Sequence, residues 1–296
     1  MKEALSKLHI AVFLAGTSGL FGRWITMSET MLALYRVILS ALILGVVLLA
    51  MKLMRKHAAD SPARITARTC LGMSGIGTLL VLHWLFFFGS IKAANVSIGA
   101  VCLSLVPFIT AILEPLLLRS RFSLKNFLIS IISVLGVACI FGVDTQFRLG
   151  IAYGTISSTL LSLMMIANKS MRSHKVGATD MLFGEFVGGG IVLLAIVACM
   201  KYNDPTMPIF PSAHDWLYLL LLAAIVTITP YLLKLQVLNT VDAFTVNLVN
   251  NMEPVYSILL AIIIFNEAQQ LSFAFVIGVV LILISVTLQT FHSLKH

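Results

Sequence analysis

Apolar residues in this chain gather into long runs separated by short polar stretches. Ten windows, near 8–27, 30–52, 70–91, 96–118, 124–143, 149–168, 181–200, 216–238, 241–265 and 271–290, match the roughly 20 residues an α-helix needs to cross a bilayer core. What remains between them is too short for a separate soluble domain. The pattern predicts an all-α membrane protein with ten transmembrane helices.

Composition agrees. Of 296 residues, 59% are hydrophobic and 11% charged, with mean hydropathy +1.02; soluble domains carry about 25% charged residues. The first run follows Lys2 and Lys7 like a secretory signal, but it lacks a small-residue cleavage site followed by polar sequence, so it reads as the first span. Lysine and arginine set the orientation. With the N-terminus inside, 15 of the 20 fall on the inner face and 4 outside (Arg23, Lys92, Arg148 and Lys201), with Arg36 within the second span. Both termini are expected in the cytoplasm, with the chain integral to an inner (plasma) membrane.

The net charge of +8 is then a topology signal, not a nucleic-acid footprint, and anionic lipid of the bilayer attracts those bases. The 53–69 loop reads as a solvated linker. Cys70, Cys102, Cys139 and Cys199 are scattered, without metal spacing, and read as small buried hydrophobes. No metal or cofactor is expected.

An internal repeat organises the runs. Leu103-Ser104-Leu105-Val106-Pro107-Phe108 opens one apolar run, and Asn250-Asn251-Met252-Glu253-Pro254-Val255 opens another 147 positions later. A further apolar helix follows each: Ile129 to Ile140, and Val276 to Leu288. At the same offset His83 falls on Pro230, Trp84 on Tyr231, Phe87 on Lys234 and Ser120 on Glu267. The fourth and ninth crossings are an odd number of spans apart, so the copies are upside down relative to each other. Two inverted five-helix repeats, 1–147 and 148–296, are the build of alternating-access transporters.

The order of these elements resembles the drug/metabolite transporter superfamily, and within it the EamA type. The resemblance is carried by Leu34-Tyr35-Arg36, Ser104-Leu105-Val106-Pro107, Glu253-Pro254 through Asn266-Glu267, Leu271-Ser272 and Gly278. It covers essentially the whole chain. It implies ten spans in two repeats and a transport activity, the family including exporters of amino acids and other metabolites as well as drug pumps. Two features depart from the family pattern: Ser120 stands where a glutamate is usual, and Glu114-Pro115 is an addition in the first copy.

Ionisable groups within a span cost about 2.5–3.5 kcal/mol on insertion scales, so each calls for a partner or a task. Glu253 lies near the middle of span nine, and Asn247, Asn250, Asn251, Glu253 and Ser257 share an arc of about 160° on a regular helix. Pro254 removes a backbone donor there, as Pro107 does in the first copy. The arc reads as a substrate or proton site, against packing glue between helices. His83, with Trp84 beside it, offers a titratable group and a flat apolar surface; the alternative is a neutral histidine bonded to a backbone carbonyl. Tyr231 and Lys234 join the same pathway through the repeat, although Lys234 is close enough to the inner end to snorkel. Arg36, Glu114 and Glu185 read as gate or structural ion pairs. Arg36 has Glu29 or helix-end carbonyls within reach, or else an anionic group of a substrate. The small residues Gly16-Thr17-Ser18-Gly19 and Gly188-Gly189-Gly190 read as close packing between helices.

The expectation is a secondary transporter, an exporter of a small metabolite such as an amino acid, alternating around a midplane cavity and drawing on protons as a candidate coupling ion. The alternatives are a drug or toxic-compound efflux carrier, a membrane scaffold, and a membrane-embedded enzyme. The last lacks a His-Glu-x-x-His, Asp-rich or Cys/His motif. Nothing in the sequence fixes the substrate or the oligomeric state.

Overall fold

The computed structural model describes residues 2–54, 66–119, 121–143, 147–172, 177–237, 250, 252–270 and 272–293, and every regular element among them is helical. In chain order these are α1 (Lys2–Gly16), α2 (Ser18–Trp24), α3 (Glu29–Met54), α4 (Ala67–Ala93), α5 (Val96–Leu103), α6 (Val106–Leu118), α7 (Leu124–Val143), α8 (Arg148–Arg172), α9 (Ala178–Asn203) and α10 (Ala213–Leu221). A π-helical segment (Leu222–Ile228), α11 (Thr229–Val237), α12 (Glu253–Phe265), a 3₁₀ turn (Glu267–Gln270) and α13 (Phe273–Ser293) complete the order. Among the described residues six stretches are long and apolar enough to cross a bilayer outright, and crossings five, nine and ten supply shorter apolar helices. The chain is a multi-pass membrane protein of ten transmembrane helices in two inverted five-helix repeats.

Among the described residues four crossings are not single rods, each departing from a regular α-helix part-way along its length. Crossing one breaks at Thr17, whose hydroxyl turns back to the Leu14 carbonyl at 2.6 Å. Crossing four breaks at Ser104–Leu105, and crossing eight widens into the π-helical segment. Crossing nine resumes at Glu253; residues 238–249 and 251, and with them Asn247 and Asn251, lie outside the described residues. Pro107 and Pro254 each stand in the first two positions of a new helix, where a missing N–H costs nothing. The residues preceding those helices match in conformation: Leu105 has φ −76°, ψ −18° and Met252 has φ −79°, ψ −11°. The 147-residue repeat is thus written in the backbone as well as in residue types. Irregular backbone at membrane depth is tolerated where protein or a watery cavity satisfies it.

Packing runs through small residues. A Cβ on Gly77 of α4 would stand 2.0 Å from the Glu185 carbonyl oxygen of α9, and one on Gly188 would stand 2.4 Å from Ser74. On the other side of the molecule, Gly136 of α7 and Gly278 of α13 face each other's carbonyls. Backbones that approach this closely gain dispersion contacts that lipid does not supply. One large apolar core collects Leu20, Ile25, Leu32, Val81, Phe88 and Leu219 from crossings one, two, three and eight. A second, around Ile98, Val101, Ile140 and Phe275, joins crossings four, five and ten.

Candidate functional site

Two of the broken crossings, one and eight, meet at a buried cation. Arg36 of α3, only 6% exposed, donates from Nε to Thr227 Oγ1 at 3.0 Å and from Nη1 to Ser18 Oγ at 3.1 Å. Its guanidinium carbon lies 3.9 Å above the Trp84 ring and 5.6 Å from that of Phe88. A desolvated stack of this kind stabilises the cation by about 2 kcal/mol. Each support has a local cause. Thr227 sits in the π-helical turn: its hydroxyl reaches back five residues to the Leu222 carbonyl at 2.8 Å, as the Thr229 hydroxyl does to Ala224 at 2.9 Å. Pro230, just beyond, withdraws the backbone donor that would bond Val226. Ser18 is presented by the restart of crossing one at α2.

Among the described residues, both hydrogen-bond acceptors of Arg36 are neutral hydroxyls, and Glu253 acts on it electrostatically. Glu29 and the helix-end carbonyls, the partners expected from sequence, are not used. Glu253 is half-buried at the first position of α12. Crossing one lies against it: a Cβ on Gly16 would stand 3.0 Å from the Glu253 carbonyl oxygen. Asn250 is half-buried nearby in the chain, and its buried Oδ1 has no hydrogen-bond partner among the described residues. Tyr231 is half-buried on α11 against the main core. Lys234 is on α11, with its side chain outside the described part. Ser257, fourth from Glu253, turns towards Gly19 of α2.

The arrangement is a cation and a carboxylate held within the crossings, close enough to feel each other. An aromatic face lies under the cation, with an unsatisfied amide oxygen nearby in the chain. A guanidinium and a carboxylate so placed complement an anionic and a cationic group respectively.

His83 points elsewhere. Its Nδ1 is 3.0 Å from the Ser157 carbonyl and 2.8 Å from the Ser157 hydroxyl, which in turn donates to the His83 carbonyl at 3.1 Å. The ring stacks on Phe87 at 6.0 Å. These bonds tie α4 to α8. Glu114 pairs with Lys169 of α8 rather than with Arg119, and beside it Thr110 and Ser162 share a hydrogen bond of 2.8 Å. Glu185 is buried, with the Asn168 side chain as its hydrogen-bond partner.

Ser18 and Thr227 are site residues that sequence reasoning missed. The available signal was the need of an intramembrane arginine for acceptors, combined with a hydroxyl next to Gly19 and another three residues before Pro230. Glu267, which the sequence offers as a family-motif residue and as the repeat partner of Ser120, is fully buried and joined to Arg23 at 2.9 Å. Asp215, at the same face, binds the Thr26 backbone at 2.7 Å and the Ser212 hydroxyl at 2.8 Å.

A model of the EamA-like transporter family matches residues 4–142 and again 148–291. No curated protein matches the chain in sequence. A solved chain described only as a crystal structure of a protein is similar over 100% of this chain and 99% of its own, with TM-score 0.65 and 18% identity. That likeness concerns the fold alone.

Proposed function

The chain belongs to the EamA-like transporter family, and on that footing we propose that it exports a small zwitterionic metabolite, an amino acid or a close relative. The substrate's carboxylate sits against Arg36 over the Trp84 face, and its ammonium group against Glu253. The halves 1–147 and 148–296 rock about this point, opening it to each face in turn. Both termini lie in the cytoplasm, a reading the lysine and arginine bias supports, in an inner (plasma) membrane, so that the Glu267 face is external. Glu253 also serves as the group on which a proton replaces the substrate's ammonium.

The observation that supports this reading is the Arg36 guanidinium itself. It is buried, both of its hydrogen-bond acceptors among the described residues are neutral hydroxyls, and Glu253 acts on it electrostatically. A cation so placed keeps electrostatic capacity for an anionic group, and burial strengthens that interaction.

Counterflow in proteoliposomes tests it. Vesicles loaded with unlabelled amino acid accumulate labelled amino acid through the wild type, and Glu253→Gln abolishes the response to a pH gradient. Accumulation of lipophilic cations that Arg36→Gln leaves untouched would instead identify a drug efflux carrier. A complete lack of counterflow would remove the carrier reading.

A further inference from the structure

The inverted repeats are equivalent in backbone but not in how tightly they are closed. Helix α6 of the first repeat has no buried residue, and its positions from Val106 to Pro115 are all half-buried. Its counterpart α12 buries Pro254, Ser257, Ile258 and Ala261. The two helices run from mid-depth to opposite faces. The molecule is therefore sealed along α12, at the Glu267 face, and looser along α6, at the Glu114 face.

One side chain stitches the sealed end. Glu267, immediately after the α12 terminus, is 0% exposed and accepts three hydrogen bonds. Val96 N and Arg23 Nη1 reach Oε1 at 3.1 and 2.9 Å, and Ser97 N reaches Oε2 at 2.9 Å. Two of these donors are free N–H groups in the first turn of α5, at the positive end of its dipole. Arg23 comes from the end of α2 and lies 4.7 Å over the Phe265 ring. A carboxylate of the second repeat thus caps a helix of the first, and an arginine of crossing one closes over both. By the 147-residue offset, the counterpart of Glu267 is Ser120, which brings no carboxylate to the Glu114 face.

We propose that Glu267 is a one-sided latch: bound to the α5 amides and Arg23, it holds the Glu267 face shut, and the carrier rests open towards the Glu114 face, where the equivalent position is Ser120 and the Glu114–Lys169 pair that joins α6 to α8 lies partly in solvent and is the weaker tie. To open the latched face, α12 must withdraw the carboxylate from three donors and return it to water. Charge-assisted bonds of this type are the stronger class, so the latch sets a real difference between the two directions. A glutamine in its place keeps the shape but sets an NH2 group against one of the donating N–H groups, which turns attraction into repulsion.

The proposal rests on the carrier reading, and its test does not require transport. All four cysteines are replaced by alanine in the full-length chain, and Ala261→Cys, on the buried outer stretch of α12, serves as reporter in nanodiscs. A membrane-impermeant maleimide reads how often the Glu267 face opens, and hydrogen exchange at residues 95–103 reads the latch amides. Glu267→Gln should raise the labelling rate by roughly tenfold and deprotect the Val96 and Ser97 amides. Arg23→Gln, which removes one half-exposed donor, should raise labelling by about twofold to threefold. Labelling and exchange equal to the wild type, in variants that melt at the same temperature, would overturn the latch. If Glu267→Gln fails to fold, the Arg23→Gln result decides in the same two directions. Absent counterflow with altered labelling would sink the carrier reading and spare the latch; intact counterflow with unaltered labelling would do the reverse.

Discussion

Arg119 and Asn266, 147 positions apart, close the two equivalent helices α6 and α12 in the same left-handed conformation, with φ 51°, ψ 33° and φ 53°, ψ 35°. Among the described residues they are the two non-glycines with positive φ. A left-handed residue lets a helix end while its last carbonyls turn to new donors. Asparagine tolerates this conformation; arginine carries a steric cost of about 1–2 kcal/mol. Arg119→Gly should therefore stabilise the protein by about 0.5–1 kcal/mol after the entropy of a free glycine is counted. Asn266→Val should destabilise it by about 1–2 kcal/mol. Thermal melting in detergent checks both signs.

The α4–α9 contact makes an equally direct pair. A methyl group on Gly77 meets the Glu185 carbonyl oxygen at 2.0 Å, whereas nothing lies within 4 Å of the same group on Gly75. Gly77→Ala should lower stability by about 1–3 kcal/mol by forcing the helices apart. Gly75→Ala should leave it unchanged or raise it by about 0.4–1 kcal/mol. Equal melting temperatures for the two variants would contradict the packing described.

His83 is a tie between helices, and its variants should behave as such. Ser157→Ala removes the 2.8 Å hydroxyl contact and leaves the carbonyl contact in place. The expected loss is about 1 kcal/mol of stability, with substrate affinity and the pH profile of transport unchanged. A displaced pH profile would return His83 to the proton pathway.

Trp84 is the seat of Arg36. Trp84→Leu should raise KM for an amino-acid substrate and lower stability by about 1–2 kcal/mol, with Trp84→Phe intermediate in both. Flux measurements over a substrate range separate this from a general loss of folded carrier, which lowers maximal flux at constant KM.

Much of the architecture was legible in residue order. Ten apolar runs gave the crossings, and Pro107 and Pro254 with their matched neighbours gave the repeat. Arg36 and Glu253 stood out because charge at membrane depth is costly. The arc of asparagines around Glu253 presupposes one continuous helix, but α12 begins at Glu253, with a turn at Met252 before it. Partners were beyond reach for a simple reason. An apolar run tells that a residue is in the membrane, while the choice of neighbouring helix depends on where backbones come close. Ser18 and Thr227 reach Arg36 because crossings one and eight depart from the regular α-helix, at Thr17 and ahead of Pro230. The role of Glu267 was hidden by the same limit, since the amides it caps lie some 170 positions away in sequence.

The most direct test of a site that reads two charges is counterflow with a matched series: a free amino acid, its methyl ester and its N-acetyl derivative. The wild type should carry the free amino acid and reject both derivatives. Arg36→Gln should lose the discrimination against the ester, and Glu253→Gln the discrimination against the N-acetyl form. Equal transport of all three compounds by the wild type, or identical selectivity in the two variants, would contradict the assignment of Arg36 and Glu253 to opposite ends of the substrate.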